Sequence, residues 1–146
     1  MLEQMFFGQY QHTLDEKGRL TVPADFRDQL SEGAYLTQGF DNNLRLMSVS
    51  EFQNLYRRVT EMSTTDPRAR KLRRLIFANA KLIEIDRVGR ILIPQFLREV
   101  AGLDSSAVIV GVGESIEIWA TEEWDRQSQE LQNAAVNGEE FAALDL

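Results

Sequence analysis

The feature that most constrains this chain is that one segment occurs in it twice. Leu14-Asp15-Glu16-Lys17-Gly18-Arg19-Leu20-Thr21-Val22-Pro23 returns as Ile85-Asp86-Arg87-Val88-Gly89-Arg90-Ile91-Leu92-Ile93-Pro94. A shift of 71 positions superposes Asp15 on Asp86, Gly18 on Gly89, Arg19 on Arg90, Phe26 on Leu97 and Arg27 on Arg98. Further along, Leu44-Arg45-Leu46-Met47 falls on Ile116-Glu117-Ile118-Trp119 and Glu51-Phe52 on Glu123-Trp124, at a shift of 72, so one residue has been inserted in a loop. At 146 residues the chain suits one compact domain, or two small halves sharing a core. The repeat alone is equally compatible with a duplication that only builds a fold.

Each copy has the same local pattern. Gly8–Leu14 is extended, and Asp15–Gly18 is a turn, because Asp bonds its own downstream backbone and Gly accepts positive φ. Leu20 and Val22 then alternate with Arg19 and Thr21, giving a strand with one buried and one polar face, so that strand–turn–strand reads as a hairpin. Pro23 closes the strand and opens a short helix over Ala24–Leu30. Ala34–Gln38 and Asn43–Met47 form a second hairpin, and Ser50 caps a helix over Glu51–Glu61. In the second copy, Ala80–Ile85, a turn at Asp86–Gly89 and Arg90–Ile93 make the first hairpin. A helix over Pro94–Ala101 stops at Gly102. Ala107–Val112 pairs with Ser115–Trp119, and Thr121 caps a helix running to Ala135. Between the copies, Asp66-Pro67 starts a helix with Leu72, Leu75 and Ile76 on one stripe. The resulting division is a first repeat at 5–63, a basic linking helix at 64–79, a second repeat with its helix at 80–136, and an acidic tail at 137–146. The class is α+β with a mainly β core.

Charge is segregated along this pattern. The chain as a whole carries −7, which argues against nucleic acid as a partner. Residues 57–98, however, hold 11 Lys and Arg against 4 Asp and Glu, and residues 99–146 hold 1 against 11. A local basic surface binds phosphates despite an acidic total; a solvated helix face and a solubilising tail would give the same tally. The chain has no cysteine, which excludes disulfides and thiolate metal sites and suits the cytosol. No apolar run approaches the roughly 20 residues of a membrane span, and the amino terminus does not read as a secretory signal. His12 is the single histidine, and neither a phosphate-binding Gly-rich loop nor a dinucleotide fingerprint is present. No enzyme, cofactor or metal is expected.

The paired Asp-x-x-x-Arg motifs, Asp15–Arg19 and Asp86–Arg90, each sit in a Gly-Arg-hydrophobic-x-hydrophobic-Pro context. In this the chain resembles the MraZ family, within the AbrB-like swapped-hairpin group of DNA-binding proteins, from Met5-Phe6-Phe7-Gly8 to about Gln132. The pair is specific to that family; one copy alone would indicate only an AbrB-like hairpin. The resemblance implies two swapped-hairpin repeats forming one pseudo-dimeric β-barrel with peripheral helices, and subunits assembled in a ring-shaped homo-oligomer. It implies a cytoplasmic, nucleoid-associated regulator that binds double-stranded DNA at direct repeats in the promoter of the cell-division and cell-wall gene cluster. Two departures stand out. Val88 occupies the place of Lys17, with Arg87 supplying the second turn's extra charge one residue earlier, and four residues, Met1–Gln4, precede Met5 and carry no assigned role.

Four basic residues are thus the candidate DNA contacts: Arg19 and Arg90, whose planar forks suit a guanine edge or a phosphate, and Lys17 and Arg87 as phosphate contacts. Asp15, Gly18, Asp86 and Gly89 are the candidate turn organisers. An internal ion pair from Arg19 to Asp15 and from Arg90 to Asp86 is the competing role for the arginines, and the two roles are compatible. Arg68–Arg74 touches DNA or pairs with the acidic helix around Glu122–Glu130 in the same or another subunit, the second being preferred. Arg27 and Arg98 read as structural, and Phe26, Phe52, Trp119 and Trp124 as core or subunit contacts. Two further classes stay open: an antitoxin-like AbrB relative that binds DNA and a protein partner, and a pure interaction scaffold.

Overall fold

A computed structural model of the chain describes residues 5–144. Met1–Gln4 and the last two residues of the acidic tail lie outside them. Eight strands and five helices follow in order: β1 (Phe6–Thr13), β2 (Arg19–Thr21), α1 (Ala24–Arg27) continued by a 3₁₀ turn at Asp28–Leu30, β3 (Ala34–Gln38), β4 (Leu44–Ser48), α2 (Val49–Thr60), α3 (Pro67–Phe77), β5 (Lys81–Ile83), β6 (Arg90–Leu92), α4 (Gln95–Ala101), β7 (Ser106–Gly113), β8 (Ile116–Ala120) and α5 (Thr121–Asn137). A last 3₁₀ turn covers Ala142–Leu144.

The strands pair mostly across the repeat. Six make an antiparallel sheet in the order β1-β7-β8-β4-β3-β5, and β2 pairs with β6 in a separate ribbon. The first strand of each copy lies on the third strand of the other, β1 on β7 and β5 on β3. The two remaining cross-pairs join equivalent strands, β2–β6 about Leu20↔Ile91 and β4–β8 about Arg45↔Glu117. These central partners superpose under the repeat shift, so the units are related by a pseudo-two-fold axis through both pairs. The local hairpin read at Asp15–Gly18 is reduced to one bridge, Leu14↔Leu20. Beyond it the strand turns away to hydrogen-bond with the other unit. The sheet is open, since β1 and β5 end it without pairing to each other.

One core serves both units. Leu20, Val22, Phe26 and Leu30 from the first copy and Ile91, Ile93, Leu97 and Ala101 from the second are buried together with Leu36, Leu46, Ile109 and Ile118 of the large sheet. The ribbon therefore faces the sheet across this core. Two smaller clusters sit beneath the long helices. Met47, Phe52, Leu55, Val59 and Ile76 pack under α2 and α3, and Val108, Val110, Trp119 and Trp124 under α5. All four aromatic residues read as apolar contacts are buried within the chain.

Caps decide where the helices begin. Ser48, not Ser50, caps α2, its hydroxyl accepting the Glu51 N–H at 3.1 Å, because β4 runs directly into the helix. Asp66 caps α3 through the Arg68 N–H at 2.8 Å, with Pro67 in the first turn. Ala120 stands at the cap of α5, and Thr121 lies inside the first turn, its hydroxyl bonded to Ser106 at 2.6 Å. Gly102 ends α4 in the left-handed conformation.

Candidate nucleic-acid interface

The two turns are built alike, bond for bond. In the first, the Gly18 N–H donates to the Asp15 carbonyl at 3.0 Å and the Asp15 N–H to the Arg19 carbonyl at 3.1 Å. Asp15 Oδ1 accepts the N–H groups of Lys17 and Arg19 at 3.0 and 2.8 Å, and Oδ2 accepts Arg19 Nε at 2.6 Å. In the second, Gly89 and Asp86 repeat the backbone bonds at 3.0 and 2.8 Å. Asp86 Oδ1 accepts Val88 and Arg90 N–H groups at 3.0 and 2.8 Å, and Oδ2 accepts Arg90 Nε at 3.0 Å. One carboxylate thus closes the turn and orients the arginine that follows it. The backbone N–H of the arginine, then its side chain, holds each aspartate below the ordinary carboxylate range.

Only Nε of each arginine is engaged. The terminal Nη groups make no hydrogen bond among the described residues and both side chains are about one-third exposed, 36% for Arg19 and 35% for Arg90. Such an arginine keeps its fork for an outside acceptor while its orientation is fixed from within.

The ribbon brings the arginines together. Residues paired across an antiparallel ribbon project to the same side. Leu20 and Ile91 face the core, so Arg19, Leu92, Thr21 and Arg90 face away from it. Arg19 pairs with Leu92, two positions from Arg90, which makes the arginines diagonal neighbours about 7–8 Å apart at Cα. The turns lie at opposite ends of the ribbon. The Val22 N–H donates to Gly89 and the Ile93 N–H to Gly18, each at 2.8 Å. Lys17 and Arg87 are exposed on those turns. Glu16 stands where the second turn has Arg87, so the two ends differ in charge.

A second pair of arginines, read from sequence as structural, ties each turn to the opposite unit. Arg27 on α1 donates Nε to the Val22 carbonyl at 2.8 Å, and its guanidinium lies against Gly89. Arg98 on α4 donates to the Ile93 carbonyl at 3.0 Å and lies against Gly18. Gly18 and Gly89 have φ of +88° and +87°. A Cβ on Gly18 would come within 2.6 Å of Arg98 Nε, and one on Gly89 would overlap Arg27. Glycine is needed twice over at each place, for the left-handed backbone and for the guanidinium. The signal was in the repeat, which superposes Arg27 on Arg98 as it does the glycines, but the reach into the other unit was not.

Arg68–Arg74 stays apart from this face. Among the described residues, Arg68 pairs with Asp66 at 3.0 Å, and no ion pair joins α3 to α5. No cluster of candidate metal ligands occurs among the described residues, and no helix is long and apolar enough to cross a membrane.

Fold and turns together define a class: a pseudo-symmetric α+β protein in which a duplicated unit pairs strand for strand with itself and carries two Asp–Arg turns on one ribbon. The family model described as "MraZ protein, putative antitoxin-like" matches twice, over residues 5–75 and 76–145. The chain belongs to the MraZ family. It is 48% identical over 120 residues to a protein of Herpetosiphon aurantiacus, covering 82% of this chain and 84% of the other. It is 44% identical to one of Thermomicrobium roseum over 87% and 89% of the two chains. It is 42% identical to one of Roseiflexus sp. over 96% and 99%. All three bear the name "Transcriptional regulator MraZ".

Proposed function

We propose that this chain is a sequence-specific transcriptional regulator, not an enzyme, that binds double-stranded DNA with the outer face of the β2–β6 ribbon. The observation that carries this is the pairing of two Asp–Arg turns with the same hydrogen bonds on one two-stranded ribbon, with both arginines on the face turned away from the core. A two-stranded ribbon is among the elements a major groove admits. Arg19 and Arg90 read base edges, while Lys17 and Arg87 contact phosphate and set the register. Asp15, Gly18, Asp86 and Gly89 hold the turns. The swapped hairpins close with the large sheet into one barrel-like body, divided along the chain at 5–63, 64–79, 80–136 and 137–146. The names of the relatives support the regulatory role, and the family resemblance supports a cytoplasmic, nucleoid-associated protein acting on direct repeats upstream of division and cell-wall genes.

One ribbon covers few base pairs. A ring-shaped homo-oligomer presenting several ribbons engages successive repeats with effective concentrations of the order of mM. The test is binding of labelled promoter DNA against random DNA by the wild type and four alanine variants. Arg19→Ala and Arg90→Ala lose about 1–3 kcal/mol of discrimination each if their contacts are bidentate. Lys17→Ala and Arg87→Ala weaken both DNAs alike and lower the log–log salt slope by about 0.9 per lost phosphate contact. Unchanged affinity in the Arg19/Arg90 double variant would remove the assignment.

A further inference from the structure

Helix α3 buries Ala69 and Ile76 against the body of the protein. Leu72 and Leu75 are left half-covered. With Phe40, Pro67, Arg68 and Lys71 they line an open groove of about 330 Å³. Its floor is apolar, Phe40 being 64% exposed, and its rim is cationic. Arg68 has a single carboxylate partner, Asp66, and a side chain 91% exposed, so it has donors to spare. Lys71 is exposed and has no carboxylate partner among the described residues.

The complementary surface lies at the other end of the chain. After α5 the backbone passes Gly138 in the left-handed conformation and forms the short turn at Ala142–Leu144. This segment exposes Phe141 (39%) and Leu144 (65%), directly preceded by Glu139 and Glu140. The repeat shift of 72 that superposes Glu51 on Glu123 also superposes Pro67 on Glu139. The first copy therefore ends in a basic helix where the second ends in an acidic, apolar turn. Complementary charge on two different surfaces of one chain favours a head-to-tail contact between copies. Within one chain the two are carried apart, since α3 packs on β3 and α2 whereas α5 packs on β7 and β8.

We propose that the groove between Phe40 and α3 seats the segment Glu139–Leu144 of a second copy of this chain. Phe141 and Leu144 fill the apolar floor, and Glu139 and Glu140 face Arg68 and Lys71. This gives the assembly read above its contact, and it rests on that reading only for the number of copies. The contact is small and individually weak, well below the roughly 1,000 Å² of a stable interface. Closure of a ring multiplies it.

Two full-length variants test it, F141D/L144D with the tail disabled and R68E/K71E with the rim reversed, each compared with the wild type by circular dichroism and sedimentation velocity. Each alone assembles at a midpoint concentration at least tenfold above the wild type. An equimolar mixture forms pairs and nothing larger, because one intact groove meets one intact tail. Wild-type assembly in either variant overturns the proposal. A fluorescent peptide of residues 138–144 gives a second, independent reading. It binds the full-length F141D/L144D chain and not the R68E/K71E chain, and failure to bind the first overturns the proposal whatever the oligomeric state. A wild type that stays monomeric overturns the proposal as well, even where the F141D/L144D chain captures the peptide, since no second copy is then seated.

Discussion

Asp15 and Asp86 each do two things at once, and the two are separable. Oδ1 closes the turn by accepting backbone N–H groups, and Oδ2 aims the arginine. Asp15→Asn keeps an amide oxygen for the turn and loses the charged partner of Arg19. Asp15→Ala loses both. The asparagine variant is expected to keep the wild-type unfolding midpoint, as exposed ion pairs are worth little, while its operator-to-random DNA ratio falls. The alanine variant loses stability as well, and chemical denaturation with DNA titration separates the cases. The pH dependence has a definite sign. Both carboxyls are held below the ordinary range, chiefly by the arginine backbone N–H. Their contribution is therefore complete above the ordinary carboxylate pKa and is lost as pH falls through the depressed one. The stability difference between wild type and a D15N/D86N double variant is expected to be constant near neutrality and to shrink in acid; a difference that grows in acid would contradict it. The turns themselves are unequal, with Glu16 and Lys17 in one against Arg87 and Val88 in the other. Arg87→Ala is expected to weaken DNA more than Lys17→Ala, because Glu16 already offsets Lys17.

At the scale of elements, the ribbon is held by helices that belong to opposite units. Arg98 on α4 rests on Gly18, and Arg27 on α1 rests on Gly89. Gly18→Ala forces a left-handed alanine, about 1–2 kcal/mol, and its Cβ meets both the Arg98 guanidinium and, at 2.8 Å, the Ile93 carbonyl oxygen. Pairing it with Arg98→Ala relieves only the contact with the guanidinium. A double-mutant cycle by denaturant unfolding is therefore expected to show positive coupling between Gly18→Ala and Arg98→Ala and additivity between Gly18→Ala and Arg27→Ala. The secondary elements themselves were largely legible. The 2-residue alternation at Leu20–Val22, the prolines at 23 and 94 and the cap at Asp66 placed strands and helices to within a few residues. The cap of α2 falls at Ser48 rather than Ser50, two residues with the same hydroxyl, and that of α5 at Ala120 rather than Thr121, although Ala120 has no side chain that can cap. Only the course of the chain out of β4 and β8 decides which residue precedes the helix.

For the whole molecule, the cross-pairing makes the two copies one cooperative body. Leu20 and Ile91 are direct partners, each almost fully buried in the shared core. Leu20→Ala and Ile91→Ala are each expected to cost about 2–5 kcal/mol and to lower one common transition, with fluorescence and circular dichroism coinciding. Two transitions, with only one displaced by each variant, would mean that the copies fold separately.

Sequence alone determined the duplication, the turns and the class of each element, because hydrophobic period, turn chemistry and proline placement are local properties. It also brought out the two Asp-x-x-x-Arg motifs, whose spacing lets one carboxylate close a turn and meet the following arginine. It could not decide which strand each edge would pair with. Backbone hydrogen bonds carry no residue identity, and a strand that alternates correctly for its own hairpin alternates equally well for its copy. Tertiary structure made that choice: β2 on β6 rather than on β1, an open sheet, and Arg19 beside Arg90. The same choice turned Arg27 and Arg98 toward the turns of the opposite unit. Long-range packing of Leu20, Ile91 and the sheet residues they cover selects this pairing, since it buries the apolar faces of both short strands in one core.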